Sequence, residues 1–220
     1  YPAALDAIAA HGARAVGVAL GPAGWDGAQL DEALRRAPPR LAYVVPDFHN
    51  PTGILVPAEA RQALLRATRR AGTIVVVDEI AAELSLDAGP LPPRLAALGD
   101  ARHVLTVGSL SKSCWAGLRT GWIRGERRLL QRLAAARSAR DSASPVLDGL
   151  LAARVLPRLD ALVAERRPRI VERRDALADG LARHLPGWRA PRPGGGLWLW
   201  AELPTPSSSA LVAAARAHGL

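Results

Sequence analysis

The sequence predicts an α/β fold: a mainly parallel sheet with flanking helices, followed by the start of a smaller α+β domain. Three observations carry that expectation. Short apolar runs alternate with amphipathic stretches of helical period through residue 107. One run, 73–78 (Thr-Ile-Val-Val-Val-Asp), is β-branched and continuous, as in a parallel strand buried on both faces. From residue 126 onward the pattern is helical, and an alternating run returns only at 197–203.

In order along the chain, residues 13–20 (Ala-Arg-Ala-Val-Gly-Val-Ala-Leu) read as a strand and 29–36 as a helix. Residues 41–45 are a strand, and 57–71 a helix with proline in its first turn. The strand at 73–78 follows, then another at 103–107. Helices are expected at 126–140 and 145–156, and a long charged one at 157–184. Residues 188–192 and 197–203 then read as small-domain segments, with a final helix at 207–220. Gly194, Gly195 and Gly196 neither follow a strand nor open a helix, so they read as a turn rather than a phosphate loop. The expected division is 1–156 for a large domain lacking its N-terminal part and 157–220 for an interdomain helix with a partial small domain. The lack of any methionine, with an opening on Tyr1-Pro2, leads us to expect a piece of a longer protein.

Composition narrows the function classes. No apolar run approaches the ~20 residues that a membrane span requires. A single cysteine, Cys114, allows no internal disulfide and fits a reducing cytoplasm. The net charge of +9 raises the question of nucleic acid. Its arginines are spread in pairs over the polar sides of expected helices, without interleaved aromatics, so direct nucleic-acid binding by this segment is not expected. Five scattered histidines show no ligand spacing, so no metal site is expected.

Lys112 is the only lysine, beside 28 arginines. A guanidinium replaces an ammonium on most surfaces, but it stays protonated and does not attack a carbonyl. A lysine that survives such a bias sits where amine chemistry is called for. Three further segments join it at expected strand ends, where open α/β sheets bind ligands. They are Asn50 in 45–53 (Val-Pro-Asp-Phe-His-Asn-Pro-Thr-Gly), Asp78 closing its strand, and Arg119 seven residues after Lys112. Ser109 and Ser111 precede the lysine. Taken singly, Asn50-Pro51-Thr52-Gly53 also makes an ordinary turn, Asp78 serves equally as a cap, and Arg119 as a surface ion-pair partner. The order and spacing of all four are more specific.

On these motifs the chain resembles fold-type I pyridoxal-phosphate proteins of the aminotransferase class I/II superfamily. The resemblance implies pyridoxal 5'-phosphate as cofactor. It implies Lys112 as the residue that condenses with the cofactor aldehyde and moves the Cα proton of a substrate. Asp78 would meet the pyridine nitrogen and Asn50 the phenolic oxygen. Arg119, Ser109 and Ser111 would hold the phosphate, and Tyr1 would stack on the ring. It also implies a cis Asn50–Pro51 peptide, an amino acid or amine ligand, and a homodimer in the full-length protein.

Two functions remain open at this point. Segments 45–53 and 109–124 are similar to the aminotransferase-like domain of GntR-type transcriptional regulators of the MocR kind. There, DNA would be met only through a winged-helix domain preceding this one. The family's enzymes carry a tyrosine two or three residues after the pyridine-binding aspartate, where this chain has Ile80 and Ala81. That departure favours an effector-sensing domain, with a free-standing amino-acid aminotransferase as the alternative.

Overall fold

The computed structural model describes residues 1–36, 38–138, 145–204 and 208–219. The chain opens on helix α1 (Pro2–Ala10), whose proline sits in the first turn, where a missing N–H costs nothing. A short antiparallel ribbon follows, β1 (Leu20–Gly21) with β2 (Gly24–Trp25), then α2 (Gly27–Arg36). Strand β3 (Leu41–Val44), helix α3 (Ala58–Arg70), strand β4 (Ile74–Asp78), the one-turn α4 (Leu95–Leu98) and strand β5 (Val104–Ser109) come next. A one-turn α5 (Leu110–Ser113), a 3-10 turn (Ala116–Leu118) and strand β6 (Gly121–Arg124) complete the sheet. Helices dominate the rest: α6 (Arg127–Ser138), α7 (Val146–Val155), the 26-residue α8 (Leu159–His184) and α9 (Ser208–Ala217).

Among the described residues the main sheet runs β3-β4-β5-β6, with the first three strands parallel and β6 antiparallel to β5. Its register fixes what each face carries, because paired residues point the same way. Val44 lies beside Val77, and both turn onto α3 and α4. There Val75, Val104, Leu64, Leu65 and Leu95 complete a buried cluster. Each such side chain contributes about 1.5–3 kcal/mol on burial. Tyr43, Asp78 and Ser109 lie on the opposite face at the carboxyl ends of their strands.

Helix α3 follows from its sequence: Arg61, Leu64, Leu65 and Thr68 recur at helical spacing and are all buried. Pro57 stands extended just before it rather than in its first turn, and Gly72 ends it with φ of 67°. A second core (Leu84, Leu110, Leu118, Ala152, Leu159 and Val163) ties α5 and the 3-10 turn to α7 and α8. Leu84, Leu110 and Leu118 are fully buried in it, and the last two stand two residues before Lys112 and one before Arg119. Helix α8 passes through Pro168 without a break.

The structure departs from the sequence reading at several elements. Residues 13–19 form no ladder; only Leu20 of the expected strand is paired, because no neighbouring strand is available to them among the described residues. The alternation at 197–203 yields a single antiparallel bridge, Arg189 with Glu202, closed by hydrogen bonds of 3.1 and 2.9 Å. Helix α1, strand β2, the one-turn helices α4 and α5, and strand β6 were not expected. The ends of the expected helices at 139–140, 207 and 220 lie outside the described residues. The glycine run is a turn, as read, but a clamped one. Gly196 N–H donates to the Leu84 carbonyl at 2.8 Å, and a Cβ on Gly195 would run into Phe48.

Candidate active site

A cavity of about 580 Å³ opens at the carboxyl ends of β3, β4 and β5. All seven residues singled out from the sequence line it: Tyr1, Asn50, Asp78, Ser109, Ser111, Lys112 and Arg119. They come from five separate stretches of chain, and the sheet is what gathers them.

Asp78 closes β4 and turns its carboxylate into the cavity, held at both oxygens. Oδ1 accepts from the Ile80 N–H at 3.0 Å, and Oδ2 accepts a short hydrogen bond from the Tyr43 hydroxyl. Burial first, then this bond to Asp78, keeps the Tyr43 phenol protonated well above its ordinary range.

Lys112 rides on α5, whose N-cap is Ser109: its hydroxyl accepts from the Ser111 N–H at 3.1 Å. Ser109 Oγ also stands 2.9 Å from Ser111 Oγ and 3.0 Å from the Thr120 carbonyl. Ser111 can donate to Ser109 while Ser109 donates to Thr120, and rotation of the Ser111 hydroxyl would turn its proton toward an incoming anion. At the other end of α5, Arg166 of α8 donates to the Ser113 and Cys114 carbonyls, both at 2.7 Å. The lysine is thus fixed from both ends of its turn. Arg119 follows the 3-10 turn with φ of 32°, a left-handed conformation that costs a non-glycine residue about 1–2 kcal/mol. Among the described residues neither the Lys112 ammonium nor the Arg119 guanidinium has a hydrogen-bond or ion-pair partner. Two free cations beside a pair of hydroxyls suit an anionic group, and Asp78 at another wall suits a donor or cation.

Asn50 belongs to a loop held by strong local constraints. The Asn50–Pro51 peptide is cis, and Phe48 has φ of 49°. His49 N–H donates to the Ile54 carbonyl at 2.8 Å, and its ring Nδ1 lies 2.9 Å from Thr52 Oγ1. Burial lowers the His49 pKa, which favours the neutral ring. A Cβ on Gly53 would come within 2.8 Å of Pro193. Residues 193–196 therefore press on this loop, and Trp198 reaches the cavity wall.

Sequence reasoning missed several contributors. Tyr43 is an ordinary residue of its expected strand there, and neither Trp198 nor His49 is singled out. The brace beneath the Asn50 loop was missed too. Arg61 is fully buried in α3 and donates to the Val56 carbonyl at 2.8 Å, the Pro46 carbonyl at 3.2 Å and Asp47 at 2.8 Å. The one available signal was an arginine on the apolar stripe of an amphipathic helix, where a charge has to find a buried partner.

With this geometry in hand, likeness to known proteins decides the family. The chain matches the aminotransferase class I and II family over residues 1–219. It belongs to that family. It is 34% identical over 208 residues to the 2-aminoadipate transaminase of Thermus thermophilus, covering 93% of this chain and 52% of the relative. It is also 32% identical over 186 residues to YdfD, an uncharacterized HTH-type transcriptional regulator of Bacillus subtilis, covering 82% of this chain and 38% of the relative. The crystal structure of LysN, the Thermus thermophilus α-aminoadipate aminotransferase complexed with N-(5'-phosphopyridoxyl)-L-leucine, superposes with a TM-score of 0.86. That match has 33% identity over 96% of this chain and 55% of that one. The chain spans between 34% and 55% of the length of these relatives, which include both aminotransferases and transcriptional regulators. This aminotransferase-like domain is thus the common part of two kinds of protein. No described helix is long and apolar enough to cross a membrane.

Proposed function

We propose that this is a pyridoxal 5'-phosphate-binding domain that senses an amino acid or amine for a GntR/MocR-type transcriptional regulator. The donor set fits the cofactor: a lone amine, a free guanidinium beside two hydroxyls, and a carboxylate fixed at another wall of one cavity. Arg119, Ser109 and Ser111 would take the phosphate, Asp78 the ring nitrogen, Asn50 the phenolic oxygen, and Tyr1 a ring face. When bound, the cofactor supplies an aldehyde for Lys112 and an electron sink for a substrate's Cα–H bond. Lys112 would shed a proton to condense, and would then carry one between substrate and cofactor. Asp78 would keep the ring nitrogen protonated through a charge-assisted bond. Residues 1–156 would form part of the large domain, and 157–220 the interdomain helix with part of the small domain.

The observation that carries the regulator over the enzyme lies beside Asp78. Ile80 turns an apolar side chain onto the cavity wall and Ala81 is buried. Neither offers the hydroxyl that the family's enzymes place there. A sensor has only to bind cofactor and exchange ligands, so it tolerates that loss better than a catalyst does. Ligand exchange at Lys112 would shift closure of the small domain, and with it the geometry of a preceding DNA-binding domain.

The full-length protein tests this. Adding amino acids one at a time should change the visible absorbance of the bound cofactor and the affinity for promoter DNA together, with little keto acid formed. Rapid keto-acid turnover with no effect on DNA binding would establish the aminotransferase alternative instead.

A further inference from the structure

We infer that Tyr43 is a positioning residue for the cofactor's ring: its hydroxyl orients the Asp78 carboxylate toward the place of the ring nitrogen. The inference rests on the reading of Asp78 given above. Tyr43 is the penultimate residue of β3 and pairs with Val76, so it shares a sheet face with Asp78 two residues further along β4. Its side chain spans that diagonal and donates to Asp78 Oδ2, while the Ile80 N–H fills Oδ1. A carboxylate that accepts at both oxygens is locked in rotation about its Cβ–Cγ bond. Each oxygen keeps a second lone pair, so the ring N–H can still be received.

A charge-assisted hydrogen bond of this kind fixes where the carboxylate stands. Both residues border the same cavity, and no hydroxyl comes from positions 80 or 81. The neighbouring strand thus supplies an orienting donor close to the point where the chain after Asp78 supplies none. The phenol itself stays protonated throughout the physiological range.

The test uses the full-length protein and Tyr43→Phe, which keeps the ring and removes only the donor. In apoprotein with 13C-labelled aspartate, the Asp78 carboxyl resonance should shift and broaden as the carboxylate gains rotational freedom. In the loaded protein, pyridoxal phosphate affinity should fall several-fold, and the pH midpoint of its visible band should move. Site-specific 3-fluorotyrosine at position 43, a stronger donor of nearly the same shape, should shift that resonance the other way and keeps the test open if the phenylalanine variant folds poorly. An unmoved Asp78 resonance in both variants overturns the coupling. A moved resonance with unchanged cofactor affinity and unchanged band titration overturns the positioning role. Failure of the underlying reading shows separately, as Asp78→Ala protein that binds cofactor with undiminished affinity.

Discussion

The Arg61 guanidinium lies 2.8 Å from the Asp47 carboxylate, and both side chains are almost wholly removed from solvent. Arg94 approaches the other oxygen of Asp47 at 3.3 Å in ion-pair contact but without hydrogen-bond geometry, so that oxygen has no hydrogen-bond partner. The remaining donors of Arg61 go to the Pro46, Val56 and Pro93 carbonyls. One arginine of α3 therefore ties together both ends of the loop that carries Asn50.

Breaking this pair from one side leaves Asp47 buried with only the longer Arg94 contact beside it. Arg61→Met should destabilise the fold by about 3–5 kcal/mol, read by urea unfolding of the full-length protein. Replacing both partners, Arg61→Met with Asp47→Leu, should recover part of that loss, because the buried carboxylate goes with its partner and Arg94 keeps its ion pair with Glu83. If the double variant is no more stable than the single one, the pair is not what holds the loop.

Lys112 and Asp78 make separable contributions. Lys112→Arg keeps the positive charge yet removes the amine, so it should lose the visible band of covalently held cofactor as completely as Lys112→Ala does. An unchanged spectrum in either variant refutes the role given to this residue. Asp78→Ala should retain the lysine linkage but bind cofactor about ten- to a hundredfold more weakly, the equivalent of one charge-assisted hydrogen bond. Absorbance titration measures both.

Much of this was legible in the chain itself, and what was not has physical causes. The parallel strands could be read because burial on both faces demands continuous apolar runs, as at Ile74–Asp78. Asn50, Asp78 and Lys112 stood out because strand ends and the uniqueness of the lysine are properties of sequence, whereas Tyr1 entered only through the family resemblance; all seven expected residues line one cavity. Strand β6 escaped because Gly121 and Trp122 show no alternation. What fixes it there is tight contact: a Cβ on Gly108 would lie 2.5 Å from the Trp122 ring, and one on Gly121 only 2.8 Å from the Gly108 carbonyl. Residues 13–19 failed in the opposite sense, since local pattern gives a strand propensity but cannot supply the neighbour that a ladder requires. Tyr43 and Arg61 escaped because their partners, Asp78 and Asp47, lie 35 and 14 residues away.

Glu79 gives the fold a pH dependence of known sign. Burial is the largest influence and raises its pKa, partly countered by Arg94, and its Oε1 lacks a partner. A carboxyl with a raised folded pKa holds its proton more tightly in the native state. The stabilisation is fully present below the unfolded value and is lost as pH rises through the folded one. Glu79→Gln should therefore gain stability relative to the parent at pH 7, and the gain should vanish near pH 4. Melting temperatures at the two pH values check this; a gain of equal size at both would assign the effect to packing rather than charge.

Gly195 tests whether the strap at 193–196 governs the Asn50 loop. A Cβ there would collide with the Phe48 ring and come within 2.5 Å of the Leu84 carbonyl oxygen. The Leu84 oxygen is backbone and already accepts from Gly196, so it has little room to withdraw. The ring is no freer: Phe48 is buried and sits at a positive φ two residues before Asn50. Gly195→Ala should thus cost about 1–3 kcal/mol through overpacking. It should also weaken cofactor binding, because the displaced ring moves the loop. Gly187→Ala is the control, since a Cβ there meets nothing within 4 Å. If Gly195→Ala lowers stability but leaves cofactor affinity at the level of the control, the strap serves the fold alone and does not set the position of Asn50.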